Sequence, residues 1–299
     1  MKKVSIGSWA YIFGEYAQNP ISLQDLCKRL NELGFDGISL GGFRPHAHPD
    51  DWGTPEKMAE LKKILKDNKL EVADYAADMW SVNALEQGEE YLKIFKKNVD
   101  FCADMGIKII RVDSDAPPKL PANMTYAQVK EYYVDLFKKC AKKAAEKGLL
   151  VVWEFEPGFI INEPKNVAEV VKAVNEPNFK ILFDTCHAYM GAVMGANAIE
   201  SGCTLKGGVA EYAQMLKGLI GVVHVIDSDG TLNVTNTSTH APFGVGKIDF
   251  DEVIPALLDK AQYDGEWWAI DLCEWGDAWE VTAQCKDFVD KEINAKFCK

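Results

Sequence analysis

Three short, nearly continuous hydrophobic runs dominate the second half of the chain, and each ends in a carboxylate or an imidazole. They are Leu149-Leu150-Val151-Val152-Trp153-Glu154, Ile181-Leu182-Phe183-Asp184-Thr185-Cys186-His187 and Gly221-Val222-Val223-His224-Val225-Ile226-Asp227. Runs of this kind, bounded by polar residues, predict strands buried on both faces, as in a parallel sheet. A strand end holds a side chain rigidly, and ligands from neighbouring ends can converge on one point. A single charged residue at a strand end is ordinarily a solvated boundary. Three in succession, separated by helix-like segments, predict a site. Glutamate, aspartate and neutral histidine together suit a divalent cation such as Mn²⁺, Mg²⁺ or Zn²⁺.

The rest of the chain repeats the same alternation. Val4 to Ala10 predicts the first strand, followed by an aromatic loop with Tyr11, Phe13 and Tyr16. Ser22 and Asp25 open a helix carrying Leu26, Leu30 and Leu33, and Gly34 stops it. Phe35 to Leu40 is the second strand, running into the loop Pro45-His46-Ala47-His48-Pro49, where His46 and His48 alternate and can face one way. A helix starts at Thr54-Pro55-Glu56, and Glu71 to Ala76 is the third strand, with Asp78 and Trp80 beyond it. A helix from about Leu85 to Met105 precedes the fourth strand, Ile107 to Asp113, in which Arg111 and Asp113 either pair structurally or line a sugar site. Helices follow over Tyr126 to Lys147, Pro164 to Val174, Val209 to Leu216, Phe250 to Ala261 and Trp279 to Val289. Thr231 to Thr239 is expected to be a polar loop, and Trp267 to Leu272 the eighth strand.

Strand and helix thus alternate eight times without a break in composition, which predicts a single α/β domain over residues 1–299, a closed (β/α)8 TIM barrel with its site at the C-terminal strand ends. A doubly wound sheet would not bring the ends of the last four strands around one point. No glycine-rich phosphate loop follows a strand, so a nucleotide cofactor is not expected.

Composition narrows the partners. The 47% apolar and 26% charged content is that of a globular protein, and the net charge of −12 argues against nucleic acid and against anionic membrane. The eight cysteines are scattered without a C-x-x-C pair, no apolar run is long enough to span a bilayer, and Met1-Lys2-Lys3 leads straight into a strand. A reduced, soluble, cytoplasmic protein is expected.

Several stretches resemble the xylose-isomerase-like sugar isomerase/epimerase superfamily. They are Gly148 to Glu154, Pro177 to His187, His224-Val225-Ile226-Asp227 and Phe243-Gly244-Val245-Gly246-Lys247-Ile248-Asp249-Phe250. The resemblance implies a divalent ion, most often Mn²⁺ with Mg²⁺, Co²⁺ or Zn²⁺ as alternatives, held by Glu154, Asp184, His224 and a last carboxylate from strand eight. Where the family ends that strand with glutamate, this chain has Asp271, with Glu274 three residues on; Asp271 is taken as the ligand and Glu274 as the runner-up. His187 matches a histidine that contacts substrate beside the metal. Many ketose epimerases carry a substrate-gripping arginine after strand seven, and this sequence offers His240 instead.

Within the superfamily, Gly7-Ser8-Trp9-Ala10-Tyr11, Pro45 to Pro49, Glu154-Phe155-Glu156-Pro157-Gly158-Phe159 and Thr239 to Gly244 resemble the larger subunit of bacterial C-glycoside deglycosidases. That likeness implies a metal-dependent lyase that enolises a 3-oxo-C-glucoside and eliminates its aglycone, working with a small second subunit. The rival is a ketose epimerase or sugar isomerase. On either reading Glu154 or His187 is the expected base, with His240 as a further acid, and Trp9, His46, His48 and Arg111 are expected to contact the sugar or glycoside. Trp9, Phe13, Trp52, Trp80 and Trp275 could stack on it. Family analogy also suggests an oligomer.

Overall fold

A computed structural model describes residues 1–298 of the chain. Eight parallel strands form one sheet: β1 (Lys3–Ile6), β2 (Gly37–Gly41), β3 (Glu71–Ala76), β4 (Ile109–Asp113), β5 (Leu150–Glu154), β6 (Phe179–Asp184), β7 (Ile220–Val225) and, after a two-stranded hairpin, β10 (Trp267–Ile270). Neighbours in the sheet run β1-β10-β7-β6-β5-β4-β3-β2. The two ends meet through a parallel bridge between Gly7 and Ser39, so the sheet curls into a nearly closed barrel. Helices pack outside it, and the fold is a single (β/α)8 TIM barrel. Large side chains such as Trp153, Phe183, Phe137 and Tyr212 are fully buried between strands and helices. The eight cysteines are all unpaired. Among the described residues no helix is long and apolar enough to cross a membrane.

The helices form where the sequence provides caps and stripes. Helix α1 (Leu23–Glu32) is opened by Ser22, whose hydroxyl accepts the Asp25 N–H at 3.1 Å, and it buries Leu23, Leu26, Cys27 and Leu30. Thr125 and Gln128 cap the helix Tyr126–Ala145 reciprocally. The expected helix Pro164–Val174 has those bounds, and Asn175 ends it in the left-handed region.

Four segments differ from expectation. The first strand stops at Ile6, because Ser8–Tyr11 winds into a 3-10 turn that lays the Trp9 indole against Gly7. A Cβ on Gly7 would lie 2.4 Å from that ring, so this turn requires glycine. Asp184 ends β6, and Thr185–Tyr189 is a short helix whose first turn it caps, Asp184 Oδ1 accepting the His187 N–H at 2.8 Å. The supposed polar loop 231–239 instead belongs to an antiparallel hairpin of β8 (Asp227–Leu232) and β9 (Ser238–Ala241), with Ser228 opposite His240. Its strands carry Asp, Ser, Gly and Thr rather than an apolar alternation, so periodicity could not reveal them. The helix beginning at Phe250 passes into a π-turn at Ala256–Lys260 after Pro255, which has no N–H to continue the regular ladder.

Candidate active site

At the C-terminal ends of β5, β6, β7 and β10 four side chains converge. Glu154, Asp184, His224 and Asp271 each offer a ligand atom, and these atoms all lie within 4.8 Å of one another in a fully buried setting. His224 turns Nδ1 toward the group, 3.2 Å from Asp271 Oδ2, 3.3 Å from Glu154 Oε1 and 3.9 Å from Asp184 Oδ2. None of these contacts is aligned as a hydrogen bond. Glu154 Oε1, Asp184 Oδ2 and both ring nitrogens of His224 have no hydrogen-bond partner although they are buried. Buried polar atoms are nearly always paired, and lone pairs from three carboxylates and an imidazole pointing at one place fit a divalent cation.

The second oxygens of these ligands are held from outside. Arg111 donates to Glu154 Oε2 and, at 3.1 Å, to Asp113 Oδ2, which also accepts Trp80 Nε1–H at 3.1 Å. The Trp9 indole donates to Asp271 Oδ1 and Oδ2 at 3.0 and 3.1 Å, and the Cys273 amide donates to Oδ1 at 2.8 Å. These bonds fix ligand orientation before any ion arrives.

The cluster's electrostatics follow from crowding three carboxylates in a dry space. Burial favours the neutral acid at Glu154, yet the Arg111 guanidinium, with His224 beyond it, holds this carboxyl down to about 2. Asp271 is also held below the usual range, against burial, by His240 and His224. Burial opposes a charge on His224, but Asp271 and Glu154 raise its pKa well above the ordinary value. The three acids therefore demand a positive charge among them, either the proton on His224 or a cation in its place.

A cavity of about 250 Å³ opens beside the cluster. Its floor is Glu154, Asp271, His187 and Arg111, and Phe13, Phe43 and Trp80 pack together as an aromatic wall, with ring centroids 4.8 to 6.0 Å apart. His187 is buried; its Nδ1 lies 2.8 Å from Ser238 Oγ and its Nε2 4.0 Å from Glu154 Oε1. Burial lowers its pKa, which favours the neutral base form. His240 stands edge-on to it, with Nε2 3.6 Å from Asp184 Oδ2, and is raised to about 9 by Asp271 and Asp184 against burial.

Not every expected residue comes to this place. His46 is fully buried with Nε2 3.0 Å from the Ile21 carbonyl, and His48 turns its Nδ1 to accept the Asp50 N–H at 3.1 Å as a helix cap. Both are structural: the loop after β2 folds back on itself, Ala47 N–H donating to the Gly41 carbonyl, and carries them away from the cavity. Glu274, the runner-up ligand, lies outside the cluster; its Oε2 accepts Asn233 Nδ2–H and Thr235 Oγ–H at 2.6 and 2.9 Å. Of the five aromatics proposed to stack, Trp9, Phe13 and Trp80 line the cavity, and Trp52 and Trp275 do not. Arg111 and Asp113 form an ion pair, and Arg111 also lines the cavity.

Sequence reasoning missed Glu156 and Thr237. Glu156 is buried at the cavity wall, its pKa pushed up to about 8 by burial and by the neighbouring Glu154 and Asp113, and it accepts the Thr237 hydroxyl. The available signal was its spacing of two from Glu154, which favours the same side of an extended chain. Asp227 proves structural: its two oxygens collect the amides of Ser228, Gly244, Gly246 and Ile248 at 2.8 to 3.1 Å and so organise the Phe243–Gly246 motif. A Cβ on Gly246 would stand 2.2 Å from Asp227 Oδ1, which explains the glycine.

The sequence pattern described as "Xylose isomerase-like TIM barrel" matches residues 27–284. The chain belongs to this family. Among family relatives, a 3-dehydroshikimate dehydratase of Bacillus anthracis is 23% identical over 83% of this chain and 86% of its own length. A fructoselysine 3-epimerase of Shigella flexneri is 22% identical over 79% of this chain and 80% of its own. Among solved structures, the IOLI protein, determined with a zinc atom bound, superposes with a TM-score of 0.76 at 17% identity, covering all of both chains. The homologues of this protein are thus enzymes of the sugar-epimerase and dehydratase kind.

Proposed function

We propose that this protein is a divalent-metal-dependent enzyme that moves a proton beside the carbonyl of a keto sugar, most simply as an epimerase. The observation that carries this reading is the set of unpaired, buried ligand atoms of Glu154, Asp184, His224 and Asp271 beside an aromatic-walled cavity. The epimerase among its relatives and the zinc atom in the IOLI structure support it. The donor set suits Mn²⁺, Co²⁺ or Zn²⁺, and Mg²⁺ less well because of the imidazole. When bound, the ion supplies stabilisation of the negative charge that builds on the carbonyl oxygen as the adjacent carbon loses its proton.

The chain's own groups do the rest. His187, kept neutral by burial and oriented by Ser238, has Nε2 free on the cavity side to take a proton. Glu154, clamped by Arg111, and Asp271, clamped by Trp9, flank the same space and can serve as proton carriers on its two sides. Asp271 is one methylene shorter than a glutamate there, so transfer from the two sides is unequal. Phe13, Phe43 and Trp80 give an apolar surface for a sugar face or for a substituent.

A second reading, C-glycoside lysis, shares the first step and adds cleavage of the bond from C1 to the aglycone carbon. The aromatic wall and the adjacent His187 and His240, which could protonate a departing aryl group, favour it. Of the named relatives, the fructoselysine 3-epimerase favours epimerisation. Metal-loaded protein incubated in ²H₂O with a panel of ketoses and 3-keto-glucosides, followed by NMR, tests the shared step. Deuterium entering beside the carbonyl of at least one substrate, and lost with chelator, is expected; a panel free of exchange would overturn the proposal. Release of aglycone would select the lyase.

A further inference from the structure

The ligand carboxylates do not account for every acid in the cavity. Past Glu154, the loop after β5 carries Glu156, which is 9% exposed and lines the cavity. Past Asp271, the loop after β10 carries Glu274, which is half-buried and lines it too. Neither belongs to the metal-ligand group. Each ties one oxygen to the turn of the hairpin β8–β9. Glu156 Oε2 accepts the Thr237 hydroxyl, and Glu274 Oε2 accepts Asn233 Nδ2–H and Thr235 Oγ–H. Among the described residues no group donates to Oε1 of either acid. Buried polar atoms nearly always have a partner, so an acceptor left open in a cavity wall finds its partner in what the cavity holds. Glu274 also keeps a side chain at φ 59°, in the left-handed region that favours glycine. A position strained in this way at a cavity mouth points to a use for its side chain.

What the lining lacks narrows that partner. Among the described residues around the cavity, Arg111 is the only lysine or arginine, and its guanidinium is already bonded to Glu154 and Asp113. His187 and His240 lie down among the ligands, 4.0 Å from Glu154 Oε1 and 3.6 Å from Asp184 Oδ2. Phosphate and carboxylate groups are recognised by bidentate arginine or by lysine, and like charges brought together oppose binding. Burial and Glu154 raise the pKa of Glu156, and in either protonation state this side chain has no positive charge to offer an anion. Sugar hydroxyls both donate and accept, so they match the acid in either state. Thr235 and Thr237 donate to the two acids and keep lone pairs that accept from a further hydroxyl.

We propose that Glu156, Glu274 and the threonines of the hairpin turn form a polyol subsite: the substrate is an uncharged keto sugar whose hydroxyls away from the carbonyl bond to these groups, and sugar phosphates and sugar acids are excluded. This inference rests on the enolising reading above and narrows its substrate class. Glu156 is its specificity-determining residue.

The test follows deuterium exchange in ²H₂O by the Mn²⁺-loaded protein on matched probes: D-fructose and D-tagatose, each beside its 6-phosphate, methyl 3-keto-glucoside beside its 6-phosphate, and the keto acid 5-keto-D-gluconate. At equal, subsaturating concentration the uncharged member of a pair is expected to exchange faster by about tenfold or more. Equal or faster exchange in the phosphates or the keto acid would overturn the inference and leave the enolising site standing. No exchange in any probe would overturn both. With the uncharged probe that exchanges fastest, Glu156→Leu is expected to raise KM about tenfold while kcat changes less than about threefold and metal content stays the same. Glu156→Gln, which keeps a donor and an acceptor, is expected to recover most of that loss. An unchanged KM in a folded Glu156→Leu protein would overturn the role of Glu156. Should that variant fail to fold, the wild-type comparison of charged and uncharged probes still decides.

Discussion

Arg111 bonds both Glu154 and Asp113, and replacing it by methionine makes a demanding prediction. The guanidinium is 5% exposed and is bonded to both Glu154 and Asp113. Methionine retains much of the apolar volume but leaves two buried carboxylates without their counter-charge. Breaking a buried pair in this way costs about 3–5 kcal/mol, a fall in melting temperature of roughly 6–15 °C for a chain of this size. The cost should depend on pH. Asp113 is already pushed up to about 6 by burial against the pull of Arg111, so in the variant its pKa rises further. A carboxyl whose folded pKa is raised contributes most when protonated, and that contribution is lost as pH rises through the folded pKa. The deficit is therefore smaller at pH 5 than at pH 8. It should also shrink when Mn²⁺ or Zn²⁺ is added, because a cation beside Glu154 replaces the missing charge, whereas metal-free protein in chelator shows the full deficit. Urea denaturation at both pH values, with and without metal, measures all of this. A variant as stable as wild type in chelator, or a deficit that metal does not narrow, would refute the reasoning.

Two further outcomes follow from the same physics. Asp115 is largely buried near Asp113, and both effects push its pKa up to about 7; Asp115→Asn should leave stability nearly unchanged near pH 4 and raise it by on the order of 2 kcal/mol at pH 8, and equal stability at pH 8 would contradict the burial argument. Gly246→Ala sets a methyl where Asp227 Oδ1 now lies, 2.2 Å away, so it should cost about 1–3 kcal/mol and speed proteolysis of the Phe243–Gly246 segment, whereas wild-type resistance would mean that Asp227 does not organise this loop.

Much of the barrel could be read from the chain because buried parallel strands write themselves as short apolar runs, as at Val151–Trp153 and Ile181–Phe183. Their polar ends then marked Glu154, Asp184, His224 and Asp271, which the structure brings together. What escaped was set by folding at a distance. The hairpin β8–β9 has no apolar period, so nothing local announced that it would bring Ser238 and Thr237 over His187 and Glu156. His46 and His48 looked like a pair by spacing, and only the path of the loop sends one into the core and the other to a helix cap.

The claim on which the account rests is that four buried side chains form a metal centre. Mass spectrometry of the native protein after incubation with Mn²⁺ or Zn²⁺ and removal of free ions, beside an Asp184→Ala variant, tests it most directly. Near-stoichiometric metal in the wild type and its loss in a folded variant are predicted. Wild-type protein that holds no metal would contradict the account, and equal loading of the variant would place the ion elsewhere.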